Sequence, residues 1–328
     1  MTGRAALAFI SAVFPLLTCL LLSAPAGYAA DAAWPRTLHT PQGDVVLQQP
    51  PQRIVSTSVT LTGSLLAINA PLVGTGATAR NSTVADGQGF FTQWSQAAQA
   101  RRLKPLYISE PNAEAIAAEA PDLIVMSATG GDSALKLYDQ LSAIAPTVVI
   151  DYGNISWQGL TQRLGKITGH EADAQAAVAR FERRVATLKQ RIALPPQPTS
   201  ALVYYEDGRG MNIWTPASAQ GQLLQELGFT LASLPPGISG NSAQGKRNDI
   251  IQLSGEKMAR AVTGATVLLF SADGRTVNKF AGNPFLSQLP AVRRQRVYAM
   301  GLDTFRLDYY SANNLLDALE QQFANVTP

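Results

Sequence analysis

The chain has 328 residues, a formal charge of +3 and a single cysteine. So small a charge, with no basic run of about five or more, excludes a nucleic-acid binder that works by neutralising phosphates. One cysteine excludes an internal disulfide and a thiolate metal cluster, so stability must come from packed cores, and this length is enough for two.

At the amino end Arg4 is the only charge before Asp31, residues 5–22 are apolar, and small residues run to Ala29 and Ala30. A basic start, a short apolar stretch and a small-residue zone predict a secretory signal peptide over residues 1–30, cut after Ala29, Ala30 or Ala32. Pro15 interrupts the apolar run, which falls short of the about 20 residues a bilayer span needs, and no basic cluster follows. Cys19 lies inside the apolar stretch behind Leu17 and Thr18, without the small residue that a lipid-attachment site places before it. Cleavage removes both Cys19 and Arg4, taking the formal charge from +3 to +2.

Residues 53–56 read as a short strand, 60–68 as a helix with an apolar face, and 73–76 as a second extended piece. Residues 112–119 read as a helix, 122–127 (DLIVMS) as a buried strand, 134–142 as a helix and 147–151 (TVVID) as a strand. Continuous apolar runs bounded by turns fit a sheet covered on both faces. Residues 31–152 are therefore expected to form one α/β lobe.

The middle has a different pattern. Residues 157–168 read as a helix stopped by Gly169. Residues 171–192 contain no Gly or Pro, and Val178, Phe181, Val185, Leu188 and Ile192 recur at steps of three or four, the period of a one-faced helix. Pro195, Pro196 and Pro198 end it. Such a helix spans roughly 30 Å, about a domain diameter. Residues 153–197 are expected to be a helical linker built on this strut. A second α/β pattern fills residues 198–328, with strands at 201–206, 212–214, 266–271 and 296–300, and helices at 219–227, 256–261 and 311–323. The expected fold class is α/β, with two lobes on central sheets joined by one long helix.

Catalytic motifs are missing. There is no G-x-S-x-G elbow and no Walker A motif. Gly74, Gly76 and Ala79 fit a relaxed dinucleotide fingerprint, but the polar loop 80–83 follows where the fingerprint needs a helix. His39 and His170 are the only histidines, and their spacing fits no two-histidine zinc motif. No serine has a convincing base partner. The residues thus point to a binder, with no catalysis, no cofactor and no metal held by protein side chains.

Residues 51–56 (PQRIVS), 110–127 (EPNAEAIAAEAPDLIVMS), the long helix and the second lobe together resemble the class III periplasmic binding proteins, receptors for siderophores and vitamin B12. Residues 53–68, 127–147, 242–253 and 304–312 are similar to the members of that class that bind ferric enterobactin. The likeness covers nearly the whole chain after the signal segment and is weakest at 206–211. It implies two lobes joined by one helix, a ligand cleft between them and only small opening motions. It also implies a monomer in the periplasm whose partner is an inner-membrane ABC permease. The implied ligand is ferric enterobactin or a similar iron–catecholate siderophore. Another catecholate, haem or a corrinoid is the alternative within the class, and a periplasmic siderophore esterase the alternative outside it.

Ferric enterobactin is a trianion with three aromatic faces, and its catecholates fill the coordination sphere of the iron. Its receptor needs cations and flat apolar surfaces rather than metal ligands. Arg80, Arg209, Lys246, Arg247 and Arg306 fall in loops at strand ends, Trp214 ends a short strand, and Tyr309 and Tyr310 follow Arg306 closely. Arginine stays charged and stacks on rings, at about 0.5–2 kcal/mol per cation–π contact. Taken alone, a loop arginine is commonly just solvated. The resemblance singles out Arg80, Trp214 and Arg306 first, and Lys246, Arg247, Arg209 and Tyr309 after them. If Tyr309 and Tyr310 open a helix, only one of them faces the cleft. The resemblance further implies one permease-docking glutamate per lobe, at Glu114 and Glu256. Both also sit where a carboxylate compensates a helix N-terminus, worth about 0.3–1 kcal/mol.

Overall fold

The structure is a computed structural model that describes residues 34–153, 155–241 and 248–324. The predicted signal segment, Lys246 and Arg247 lie outside the described residues. The described chain begins with an antiparallel hairpin, β1 (Arg36–Thr40) and β2 (Gly43–Leu47). The first lobe then runs β3 (Ile54–Ser56), α1 (Val59–Ala67), β4 (Leu72–Ala77), α2 (Thr92–Ala100), β5 (Lys104–Ile108), α3 (Ala113–Ala118), β6 (Leu123–Ser127), α4 (Tyr138–Ser142) and β7 (Thr147–Ile150). Its five strands lie in the order β5-β4-β3-β6-β7, all parallel. Two helices follow, α5 (Trp157–Thr168) and α6 (Glu171–Arg191). The second lobe runs β8 (Thr199–Tyr205), β9 (Gly210–Trp214), α7 (Ala219–Glu226), β10 (Ile250–Leu253), α8 (Lys257–Ala261), β11 (Thr266–Phe270), α9 (Gly274–Gly282), α10 (Pro290–Arg293), β12 (Val297–Ala299) and α11 (Tyr309–Phe323). Its order is β10-β9-β8-β11-β12, with β9 antiparallel to both neighbours and the β8, β11 and β12 pairings parallel.

Both sheets are apolar on both faces, which is why their strands lack a clean polar alternation. In the first lobe Ile54, Leu123, Val125, Val148 and Ile150 pack against Leu61 and Leu65 of α1 and Leu160 and Leu164 of α5. Val55, Ile124, Met126 and Val149 point the other way, onto Ile116 of α3 and Leu141 of α4. In the second lobe Ala201, Val203, Leu268 and Phe270 meet α7 and α11, while Leu202, Val267 and Leu269 meet Met258 of α8 and Phe280 of α9. Strands β1, β2, β5 and β10 and helices α2, α9 and α10 have no counterpart among the elements predicted from the sequence. Of these, β5 contains Pro105 and is only partly buried along its length, and β10 is four residues long, so neither carries a strong periodic signal.

The strut predicted from periodicity is α6. Ala174 near its start belongs to the first-lobe core, and Phe181, Val185 and Leu188 belong to the second-lobe core. Each end of one rigid helix is thus anchored in a different lobe.

A second seam also joins the lobes. Asp308 caps α11, accepting from the Ser311 backbone N–H at 2.8 Å, and Gln93 of α2 donates to the same carboxylate at 3.3 Å. Burial pushes the Asp308 carboxyl above its usual range. Gly63 of α1 lets α11 come this close: a Cβ there would lie 2.6 Å from Asp308 Oδ2 and 2.8 Å from Trp94 Cδ1. Next to it, Tyr310 packs into the first-lobe cluster of Val59, Leu66, Phe90, Trp94, Ala98 and Leu103. The amino end of α11 is therefore held by both lobes, and with it the loop that precedes it.

Candidate ligand cleft

Strands β3, β4 and β6 are adjacent and parallel, so the loops after them emerge side by side. These loops, with the first turn of α1, present Thr57–Thr60, Thr78–Arg80 and Ala128–Ser133 at one end of the first lobe. From the second lobe, the loop after β12 brings Arg306 to the same place. Arg306 Nη1 donates to Thr60 Oγ1 at 3.1 Å and to the Tyr152 hydroxyl at 2.8 Å. Its guanidinium carbon lies 4.7 Å from the Tyr152 ring centroid. A cation of the second lobe thus meets an aromatic ring of the first at the strand ends.

Beneath this contact Asp132 ties the first-lobe loops together. It accepts from Ser58 Oγ, from the Thr60 backbone N–H at 3.0 Å and from the Tyr152 hydroxyl at 3.3 Å. Thr60, Asp132 and Tyr152 are not among the candidate residues that the sequence suggests. Each follows a strand of the first lobe, as many residues do, and no motif marks them in the sequence.

Arg80 stands exposed in the turn after β4, with no ion-pair or hydrogen-bond partner among the described residues. Arg209 lies at the β8–β9 turn, where Nε donates to Asp207 Oδ2 at 2.6 Å and the guanidinium lies over the Tyr205 ring at 4.4 Å. Its charge is already matched within its own turn. Trp214 is 4 % exposed and packs against Phe270 and Phe305, so it is core rather than an open ring face. The alternation of β9 explains this: Met211 and Ile213 take one face of the sheet and Trp214 the face under α7 and α11.

Tyr309, expected at the cleft, is turned toward the strut instead. Arg180 Nε donates to its hydroxyl at 3.3 Å, and its ring meets Trp157 edge-on at 6.1 Å. It lines a groove of about 580 Å³ between α6 and α11, whose lining contains neither Arg306 nor Tyr152. Arg184 and Arg191 on that groove are paired with Asp317 and Glu320. Tyr310 is in the seam, and burial pushes its hydroxyl up to about 12. Helical geometry sends neighbouring side chains about 100° apart, so one faces the strut and the other the first lobe.

Residues 54–304 match the family model described as periplasmic binding protein. The chain belongs to the periplasmic binding protein family. It is 55 % identical over 308 residues to the ferric enterobactin-binding periplasmic protein FepB of Escherichia coli O6:H1 (strain CFT073), a match covering 94 % of this chain and 96 % of that one. The crystal structure of holo-ViuP superposes with a TM-score of 0.78 at 33 % identity, covering 90 % of this chain and 97 % of that chain. Staphylococcus aureus SirA complexed with staphyloferrin B superposes with a TM-score of 0.64 at 21 % identity, covering 88 % and 98 %, a likeness of fold alone.

In this periplasmic binding protein Glu114 is exposed in the first turn of α3, and Glu256 is the exposed N-cap of α8. Helix α3 follows the carboxyl end of β5. Helix α8 follows the carboxyl end of β10, which runs parallel to β8 because both oppose β9. Each glutamate thus sits at the strand-end rim of its own lobe, the rim that Arg306 bridges. Among the described residues, no cluster of His, Cys, Asp and Glu is placed to hold a metal ion, and no helix is long and apolar enough to cross a membrane.

Proposed function

We propose that this protein captures ferric enterobactin in the periplasm and delivers it to an inner-membrane ABC permease. Identity of 55 % across nearly the full length of both chains supports the ligand class. The structural observation that carries the reading is Arg306, held over the Tyr152 ring between the lobes. A guanidinium beside an aromatic face, with unpaired Arg80 at a neighbouring strand end, suits a trianion with three ring faces. Charge complementarity of this kind raises the association rate and disfavours cationic ligands.

Titration with ferric enterobactin, followed by tryptophan fluorescence, is expected to show saturable quenching at micromolar ligand or below. Haem and a corrinoid are expected to compete poorly. No quenching, or tighter binding of haem or the corrinoid, overturns the ligand assignment.

Glu114 and Glu256 are proposed as the permease contacts, each meeting a basic side chain of the membrane subunits. The double substitution Glu114→Lys with Glu256→Lys is expected to leave siderophore affinity unchanged. Uptake into vesicles carrying the permease is expected to fall by about tenfold or more, since like charges then face each other across the interface. Wild-type uptake should also weaken as salt rises, because exposed pairs are screened. Full transport by the double variant would remove both residues from the interface.

A further inference from the structure

The Arg306 contact contains more than a charge at the right place. A guanidinium carries five N–H donors in a fixed plane. Both Nη1 hydrogens point to first-lobe oxygens, one to Thr60 Oγ1 at 3.1 Å and one to the Tyr152 hydroxyl at 2.8 Å. The Nε and Nη2 donors have no partner among the described residues. One edge of the guanidinium is engaged, and the other is left without a partner among the described residues.

Tyr152 is itself held in place. Its hydroxyl donates to Asp132 Oδ1 at 3.3 Å while accepting from Arg306, and Asp132 is gripped by Ser58 Oγ and the Thr60 N–H. Burial pushes the Tyr152 phenol above its usual range against the opposing Arg306 charge, with Asp132 adding to the rise, so the phenol stays protonated and able to donate. Gly130 makes room for this: its φ is +92°, and a Cβ there would lie 2.1 Å from the Tyr152 hydroxyl. The ring also packs against the first-lobe core.

We propose that Tyr152 is a positioning residue for ligand capture: with Thr60 and Asp132 it fixes Arg306 across the cleft before the siderophore arrives. Preorganisation of this kind raises affinity by removing the cost of ordering a long side chain on binding. It also couples the lobes, since the anion-binding group of the second is oriented by the first. The proposal rests on the reading of Arg306 as a ligand contact.

The test is a double-mutant cycle on ferric-enterobactin affinity, with thermal midpoints measured alongside. Tyr152→Phe keeps the ring and removes the hydroxyl, and is expected to weaken binding about tenfold, the factor of one hydrogen bond to a charged group. Arg306→Gln is expected to weaken binding more. In the Arg306→Gln background, Tyr152→Phe should cause no further loss, because there is no guanidinium left to orient. A packing defect at Tyr152 would persist in that background, and additive losses therefore overturn the proposal. Unchanged or tighter binding by Tyr152→Phe also overturns it, tighter binding meaning that the contact competes with the ligand. If Arg306→Gln weakens binding and Tyr152→Phe does not, the positioning role alone fails. If Arg306→Gln has no effect, the reading of Arg306 as a ligand contact fails as well.

Discussion

Replacing both Arg80 and Arg306 by alanine is expected to weaken ferric-enterobactin binding by at least about 100-fold. Each arginine can supply charge-assisted hydrogen bonds worth about 1.5–3 kcal/mol, and every 1.4 kcal/mol or so is a factor of ten in affinity. Both side chains are exposed, and neither belongs to a core cluster. The thermal midpoint should therefore fall by only a few degrees, since Arg80 has no partner to lose among the described residues and the cost is confined to the Arg306 contacts with Thr60 and Tyr152, about 1 kcal/mol. Part of the loss should appear in the association rate, and its dependence on salt should flatten once the charges are gone. Equilibrium titration and stopped-flow fluorescence at two ionic strengths measure both. Affinity within threefold of the parent in the double variant would place the anion site elsewhere.

The second large effect concerns the seam that aims the cleft. Trp94→Ala is expected to cost about 3–5 kcal/mol, the range for truncating a buried aromatic. Trp94 is fully buried, packs against Phe90 at 5.4 Å and Phe91 at 6.1 Å, and shares a cluster with Tyr310 of α11. A loss of that size is a large fraction of the about 5–15 kcal/mol that holds a domain folded. Ligand affinity is expected to fall too, because the loop that carries Arg306 leads directly into the amino end of α11. Denaturant unfolding gives the first quantity and titration well below the midpoint gives the second. Phe285→Ala is the control: Phe285 is 50 % exposed and its truncation should cost about 0.5 kcal/mol or less. A loss below about 1 kcal/mol for Trp94→Ala would mean that the seam adds little to the fold.

The two-lobed α/β class was legible in the sequence, because the signals that carry it are local. A run such as Leu123–Met126 is apolar without a break, which fits a strand covered on both faces. The step of three and four from Val178 to Ile192 requires one long helix, and Gly169 and Pro195 bound it. Elements with weak periodicity were missed, as with β5 around Pro105.

The site was less legible. A cation in a loop at a strand end is visible in one dimension, but that pattern marks Arg80, Arg209, Lys246, Arg247 and Arg306 alike, and only the family resemblance ranks Arg80 and Arg306 above the others. Tyr309 and Tyr310 are neighbours in sequence, and nothing local says which turns to the strut and which to the seam. Trp214 reads as a possible platform, yet strand alternation and the helices above it bury the ring. Tyr152, Thr60 and Asp132 carry no motif at all. They lie 154, 246 and 174 residues from Arg306 and converge only when two lobes pack. Periodicity and turn chemistry act over a few residues, so the sequence by itself determined the lobes and the strut. Which side chains meet across the cleft depends on burial and register between distant segments, and only the tertiary structure decided that.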